Sequence, residues 1–389
     1  MNRRLVVYLL ALGAFITGTA ELVVAGMLNV IADDLHISVA AAGQLISAYS
    51  LPFAIGTPIL IALTARMQRK RLIIASLVLF TFGSLVSLWS PNYTVLFVSR
   101  IVLGISAGIY SVVAVGSIAK LVPPERIGSA VSLIALGFGF AMALGVPLGV
   151  AAANAGNWRA IFAVLGLISL IVTFALLRLL PHVEGDAPVP FLRRFAVLGH
   201  PVVASGLLMS LLLNASNSAM MTYLAPYLQN VVHLRTAEVG WSMLAFGVFG
   251  IAGSRLGGFG VDRWGAVRII AVSLSLSAAL LLALPLFAAS ALLGLLLIAL
   301  WFTALFMNAP ALQTYFIQQD PESGNLVLGL NLSIVHLGIA LGAGAGGVVA
   351  DAASTVQYNP WTAGLIAALG LAAAAASFSM RRRIAPKPA

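Results

Sequence analysis

Of the eleven Asp and Glu residues in this 389-residue chain, only Glu21 sits well inside a long apolar run. A carboxylate at membrane depth is costly unless it is protonated, paired or set in a wet cavity. Those are the properties of a group that takes up and releases a proton, and Glu21 is expected to do so. Arg100, also inside a run, is its expected companion. Counted from Ile31 and Thr94, Glu21 lies about 15 Å and Arg100 about 9 Å from the same side at 1.5 Å per residue. Both are thus expected in one half of the membrane, within joint reach of two long side chains. A purely structural bridge between the two is the competing expectation.

A second kind of chemistry is uncharged. Asn214, Asn217, Ser218 and Met221 fall at i, i+3, i+4 and i+7, one face of a helix. Amides have no partner in lipid, so that face should meet another helix or a cavity. Trp301, Asn308 and Tyr315 repeat the pattern at seven-residue spacing. Aromatic rings beside amides suit a planar, uncharged or weakly charged polar molecule. Gln44, Tyr110, Asn331 and His336 are further candidates for contact with it, and each of these residues could equally serve interhelical packing. Cysteine is absent, and nothing gives His336 a metal partner. Neither His-Glu-x-x-His nor a cluster of His and carboxylate occurs, so an intramembrane enzyme is not expected, nor is a cofactor.

The elements that must position these groups are membrane spans. With 61% hydrophobic and 8% charged residues and a mean hydropathy of +1.06, the chain is far from soluble domains, where about a quarter of residues are charged. Twelve runs can each cross about 30 Å of hydrocarbon. They cover 5–31, 40–64, 72–90, 94–119, 128–153, 160–180, 201–228, 238–260, 267–289, 292–317, 326–350 and 361–380. The first continues past Glu21 and is too long for a cleaved signal peptide. With both termini in the cytoplasm, all Lys and Arg except Arg100, Arg159, Arg235 and Arg255 fall on or near that side, as the positive-inside rule requires. The basic balance is therefore a topology signal, and nucleic acid is not an expected partner.

The longest polar interruption, 181–200, holds His182, Glu184, Asp186, Pro188, Pro190, Arg193 and Arg194. It divides the chain into an expected six-helix bundle over 1–180, a cytoplasmic linker, and a second bundle over 201–389 with a basic tail. The halves match at an offset of 197 residues: Gly342 falls on Gly145, Pro226 on Asn29, His233 on His36, Gly240 on Gly43, and Asp262-Arg263-Trp264-Gly265 on Ala65-Arg66-Met67-Gln68. Duplicated hydrophobic bundles suit a carrier that rocks one copy against the other, better than they suit a fixed pore. The expected fold class is an all-α membrane protein of twelve transmembrane helices in two six-helix pseudo-repeats.

Short motifs narrow this. Gly258-Phe259-Gly260-Val261-Asp262-Arg263-Trp264-Gly265-Ala266-Val267-Arg268 resembles the G-x-x-x-D-R-x-G-x-x-R loop of the major facilitator superfamily. The first copy keeps Arg66, Arg69, Lys70 and Arg71 but has Ala65 in place of the acid and Gln68 in place of the glycine. Arg100-Ile101-Val102-Leu103-Gly104 is similar to the R-x-x-x-G of that superfamily's drug:proton antiporter branch. Gly145-Val146-Pro147-Leu148-Gly149, followed by Asn157-Trp158-Arg159, is similar to its antiporter-associated Gly-Pro stretch. The run from Glu21 through Gly26 and Asn29 to Leu35 is similar to the arabinose and chloramphenicol exporters and the purine base and nucleoside exporters, with Asn29 where a proline stands.

The resemblance implies the major facilitator fold in a bacterial cytoplasmic membrane, with both termini inside. It implies proton-coupled efflux of a sugar, purine or drug-like molecule by alternating access, by a monomer whose partners are the substrate, protons and the bilayer. A proton symporter or a facilitator for import is the alternative. Arg66, Arg69, Gly145, Pro147, Gly149, Gly258, Asp262, Arg263, Gly265 and Arg268 are the expected gating residues, an acid at a helix terminus pairing with Arg to hold one side shut.

Overall fold

The computed structural model describes residues 3–123, 126–185, 198–287, 290–319 and 324–384. Asp186, Pro188, Pro190, Arg193 and Arg194 of the expected linker, and Lys387, lie outside the described residues. Among the described residues, twelve helical stretches are long and apolar enough to cross a membrane. By contacts the chain divides into two compact units, Met1–Pro190 and Phe191–Ala389.

In the first unit, span one is α1 (Arg3–Leu22), a 3₁₀ stretch (Val23–Met27) and α2 (Leu28–Leu35). It was expected as one continuous run ending at Ile31; instead it breaks just after Glu21 and extends to Leu35. The remaining spans are α3 (Val39–Leu63), α4 (Arg69–Leu88), α5 (Tyr93–Leu121), α6 (Ile127–Asn154) and α7 (Ala160–Leu179). Helix α1 packs on α6, α3 on α5, and α4 on both α5 and α7.

The second unit repeats this plan. Span seven is likewise broken, into α8 (Pro201–Met221) and α9 (Leu224–Asn230), and is followed by α10 (Thr236–Trp264), α11 (Ala266–Ala283), α12 (Ala291–Gln319), α13 (Gly324–Ala353) and α14 (Asn359–Ile384). Helix α8 packs on α13 and α14, α10 on α12, and α11 on α12 and α14. His36 and His233, one offset apart, both take left-handed backbone (φ 53° and 62°) where spans one and seven end. Local signals also start the next span in each unit: Ser38 accepts the Ala41 N–H to cap α3, and at the start of α10 the Glu238 carboxylate accepts the Arg235 main-chain N–H at 2.8 Å and two bonds from its guanidinium.

Each unit has its own apolar core. In the first it runs through Leu10, Leu77, Tyr110 and Leu176; in the second through Val203, Leu274, Tyr315 and Phe316. Outward faces are uncovered and apolar, as at Leu63, Phe174, Trp241 and Val248, which suits a hydrocarbon surround.

Candidate functional site

The break in span one is the focus of the first unit. Where α1 gives way to the 3₁₀ stretch, the regular i to i−4 ladder is interrupted and carbonyls need other donors. Arg100, 0% exposed on α5, supplies them. Its Nη1 donates to the Ala20 carbonyl (2.5 Å) and its Nη2 to the Glu21 carbonyl (3.2 Å), while Nε donates to Leu45 on α3 (3.1 Å). The guanidinium lies 4.6 Å from the centre of the Tyr49 ring, and the Tyr49 hydroxyl donates to the Thr17 carbonyl at 2.8 Å. One fork therefore ties together α1, α3 and α5.

Gly104 explains the spacing of the Arg100 motif. It lies one turn after Arg100, and a Cβ there would overlap the Tyr49 carbonyl. Its absence lets α5 approach α3 closely enough for the arginine to reach past it. The Gly-Pro stretch of α6 meets the same break from the other side. Gly145 lies against the Leu22 side chain, and Gly149 against the Val23 carbonyl and Gly26. Pro147 sits between them, inside the helix, where it offers no N–H. Three sequence marks far apart in the chain thus converge within two turns of Glu21.

Glu21 itself is 8% exposed. Its Oε1 accepts a hydrogen bond from the Ser50 hydroxyl at 2.7 Å. Arg100 reaches Glu21 at its main-chain carbonyl, one of three such carbonyls to which the guanidinium donates. Thr17, Tyr49 and Ser50 carry no mark in the sequence that assigns them to this corner, whereas Gly26 belongs to the run that begins at Glu21.

Beyond the break, the Arg159 guanidinium pairs with Asp34 (2.7 Å), donates twice to the Ser90 carbonyl (3.2 and 3.1 Å) and stacks 4.2 Å from the Trp158 ring. The Asn157-Trp158-Arg159 stretch therefore clamps the ends of α2 and α4.

The second unit carries no charge at the matching position: one offset from Glu21 stands Ser218, which donates to the Ile339 carbonyl at 2.8 Å. Asn214 donates to Ser210, Met221 is half-buried, and Asn217 Oδ1 is buried without a partner among the described residues. Trp301 is buried, its indole N–H likewise unpartnered. Asn308 accepts from Ser273 on α11 (2.7 Å), and the Tyr315 hydroxyl pairs with Ser377 on α14 (2.7 Å). Those two side chains lie within the helix packing of their own unit. Tyr110 does the same in the first unit, its hydroxyl donating to Leu10 at 2.7 Å. Gln44 and Asn331 are half-buried, and His336 is buried with Nδ1 2.9 Å from the Leu332 carbonyl.

Of the expected gating residues, Arg66, Asp262, Arg263 and Arg268 are exposed. Asp262 takes part in no ion pair among the described residues, and a side chain at Gly258 would meet open space. Gly265, at φ 84°, makes the one-residue turn between α10 and α11. Arg69 is half-buried and donates its main-chain N–H to Val183. Lys120 holds the Glu184 and Gly185 carbonyls at 2.9 and 3.1 Å. Residues 181–185 are thereby strapped across the α3–α4 turn, where the first loop copy lacks its acid.

Six spans repeated, with a buried carboxylate, among the described residues, in the first copy only, is the layout of a secondary carrier. The model of the Major Facilitator Superfamily matches residues 10–325, and the chain belongs to that family: it is a multi-pass membrane transporter of small molecules, not an enzyme. It is 33% identical to the uncharacterized MFS-type transporter YbcL of Bacillus subtilis, over 98% of this chain and 97% of that one. It is 32% identical to the inner membrane transport protein YdhP of Escherichia coli K12, over 93% of each. Against the chloramphenicol efflux pump Rv0191 of Mycobacterium tuberculosis it is 31% identical, over 87% of this chain and 84% of the pump. In fold it is similar to an inward-facing, unoccupied bacterial homolog of the human lysosomal transporter Spinster (TM-score 0.84, 17% identity, 99% of each chain). It is also similar to a D-xylose-proton symporter (TM-score 0.76, 18% identity, 94% of this chain and 95% of that one).

Proposed function

We propose that the protein exports a small, uncharged or weakly charged polar molecule in exchange for protons, with Glu21 as the proton-carrying group. The observation that carries this reading is the placement of Glu21 in the last turn before a break that Arg100 and the glycines of α6 hold open. A carboxylate there can change its protonation and its partners together. The main-chain bonds of Arg100 give that change a direct mechanical consequence for span one. Substrate contact falls to the uncharged stripe of Asn214, Asn217 and Met221 with Trp301 and His336. Likeness to a chloramphenicol efflux pump supports export and a drug-like cargo.

Proteoliposomes with an internal pH dye test this, using purines, pentoses and chloramphenicol as probes. Substrate-dependent proton movement opposite to the substrate, lost in Glu21→Gln while substrate binding persists, is the expected result. Movement in the same direction would make the protein a symporter. Transport with no proton movement in wild type would make it a facilitator, and an unchanged Glu21→Gln would leave Glu21 a structural residue.

A further inference from the structure

At one end of the second unit, where α10, α11, α12 and α14 meet, lies an open cleft of about 480 Å³. The residues lining it include Trp264, Gly265, Arg268, Gln318, Phe378 and Arg381. We propose that this cleft binds the phosphate headgroup of an anionic membrane lipid.

Charge is the first argument. Two arginines are among the residues that line the cleft, and among the described residues no Asp or Glu is. Neither the Arg268 nor the Arg381 side chain is in an ion pair or donates a hydrogen bond among the described residues. Arg381 is half-buried, its guanidinium 5.9 Å from the Tyr315 ring, so it is held in place rather than trailing in water. Two such forks can take a phosphate through paired N–H···O bonds. Helix α11 begins here at a glycine that provides no side-chain cap, adding its partial positive charge to theirs.

Depth is the second. All four contributing helices have an end here: Trp264 closes α10, Ala266 opens α11, Gln318 is next to the end of α12 at Gln319, and Arg381 lies in the last turn of α14. The cleft therefore lies at headgroup level, where Trp belongs. Half-exposed Trp264 and half-buried Phe378 give it an apolar wall for the glycerol and the root of an acyl chain. Beyond Arg381 the sequence continues with Arg382 and Arg383, on the side that the distribution of Lys and Arg assigns to the cytoplasm. A soluble phosphate ester would meet the same arginines but has no use for that wall. The site is independent of the role proposed for Glu21, and its failure would leave that role untouched.

The test uses the full-length protein in mild detergent with equal amounts of phosphatidylglycerol and phosphatidylcholine, reading retained lipid by native mass spectrometry, with glycerol 3-phosphate as competitor. Wild type should retain phosphatidylglycerol in preference, and Arg268→Gln with Arg381→Gln should cut that preference about ten-fold. A charge-matched control, Arg126→Gln with Arg178→Gln, should retain it. Should the double variant not yield folded protein, Arg268→Gln alone, at an exposed position, is expected to lower the preference about three-fold. Equal loss in the control, no loss in the cleft variants, or displacement by glycerol 3-phosphate would each overturn the lipid site.

Discussion

The Ser50 hydroxyl donates to Glu21 Oε1 at 2.7 Å, and both side chains are buried. A hydrogen bond to a charged group contributes about 1.5–3 kcal/mol and one between neutral groups about 0.5–1.5 kcal/mol. Ser50→Ala is therefore expected to lower thermal stability more in wild type than in the Glu21→Gln background. The double-mutant cycle should show a coupling of about 1 kcal/mol, read by unfolding of purified protein. Equal losses in both backgrounds would mean that the carboxylate charge does not strengthen this bond.

Arg100→Lys is expected to fail despite keeping the charge. An ammonium is a point donor and cannot span the Ala20, Glu21 and Leu45 carbonyls that the planar fork reaches together, nor stack on Tyr49 as a guanidinium does. Substrate-driven flux in proteoliposomes should fall by about ten-fold or more, roughly the effect of losing one charged hydrogen bond. Flux within two-fold of wild type, about 0.4 kcal/mol, would show that the charge alone suffices.

Gly104→Ala and Gly139→Ala should separate sharply, though both are mid-helix changes. The methyl at Gly104 would overlap the Tyr49 carbonyl, whereas at Gly139 it meets nothing within 4 Å. The first must push α5 from α3, at a cost of about 1–3 kcal/mol for overpacking. The second should be neutral or stabilising by up to about 1 kcal/mol, because alanine favours helix. Melting temperatures of the two purified variants settle it, and similar values would refute the close approach.

The spans and the offset of 197 were legible in the sequence because an apolar run of membrane length has few other uses, and because pairs such as His36 and His233 mark equivalent ends. The break in span one was not. Val23-Val24-Ala25-Gly26-Met27 is as apolar as its surroundings, and the 3₁₀ form is supported from outside, by Gly26 against the Val146 carbonyl and by the bonds of Arg100. Periodicity likewise placed Asn308 and Tyr315 on one face without saying what that face meets; Ser273 and Ser377, on two other helices, receive them. Ser50 carried no signal, being one serine among many. Partners supplied by another helix are what a single helix's spacing cannot encode.

Gly265 occupies φ 84° and ψ 155° between two helices that share it as their only connecting residue. Only glycine visits that region readily. Gly265→Ala should lower stability by about 1–3 kcal/mol, and Gly265→Asn should not restore it, since asparagine tolerates left-handed helical backbone but not this extended form. Rescue by asparagine, seen as a wild-type melting temperature, would place the turn in the ordinary left-handed region.

The clamp around Arg159 sets two contributions against each other. Its ion pair with Asp34 is partly open to solvent, at 24% and 42% side-chain exposure, and a pair of that kind contributes about 0–1 kcal/mol. Its two bonds to the Ser90 carbonyl and its stacking on Trp158 do not depend on Asp34. Asp34→Asn should therefore cost less than about 1 kcal/mol, and less still at high salt. Arg159→Ala, which also strips the Ser90 carbonyl of both donors, should cost about 1–3 kcal/mol more and show little salt dependence in that excess. Thermal unfolding of both variants at low and high ionic strength measures the split. Equal losses would mean that the ion pair, and not the carbonyl, anchors the end of α2.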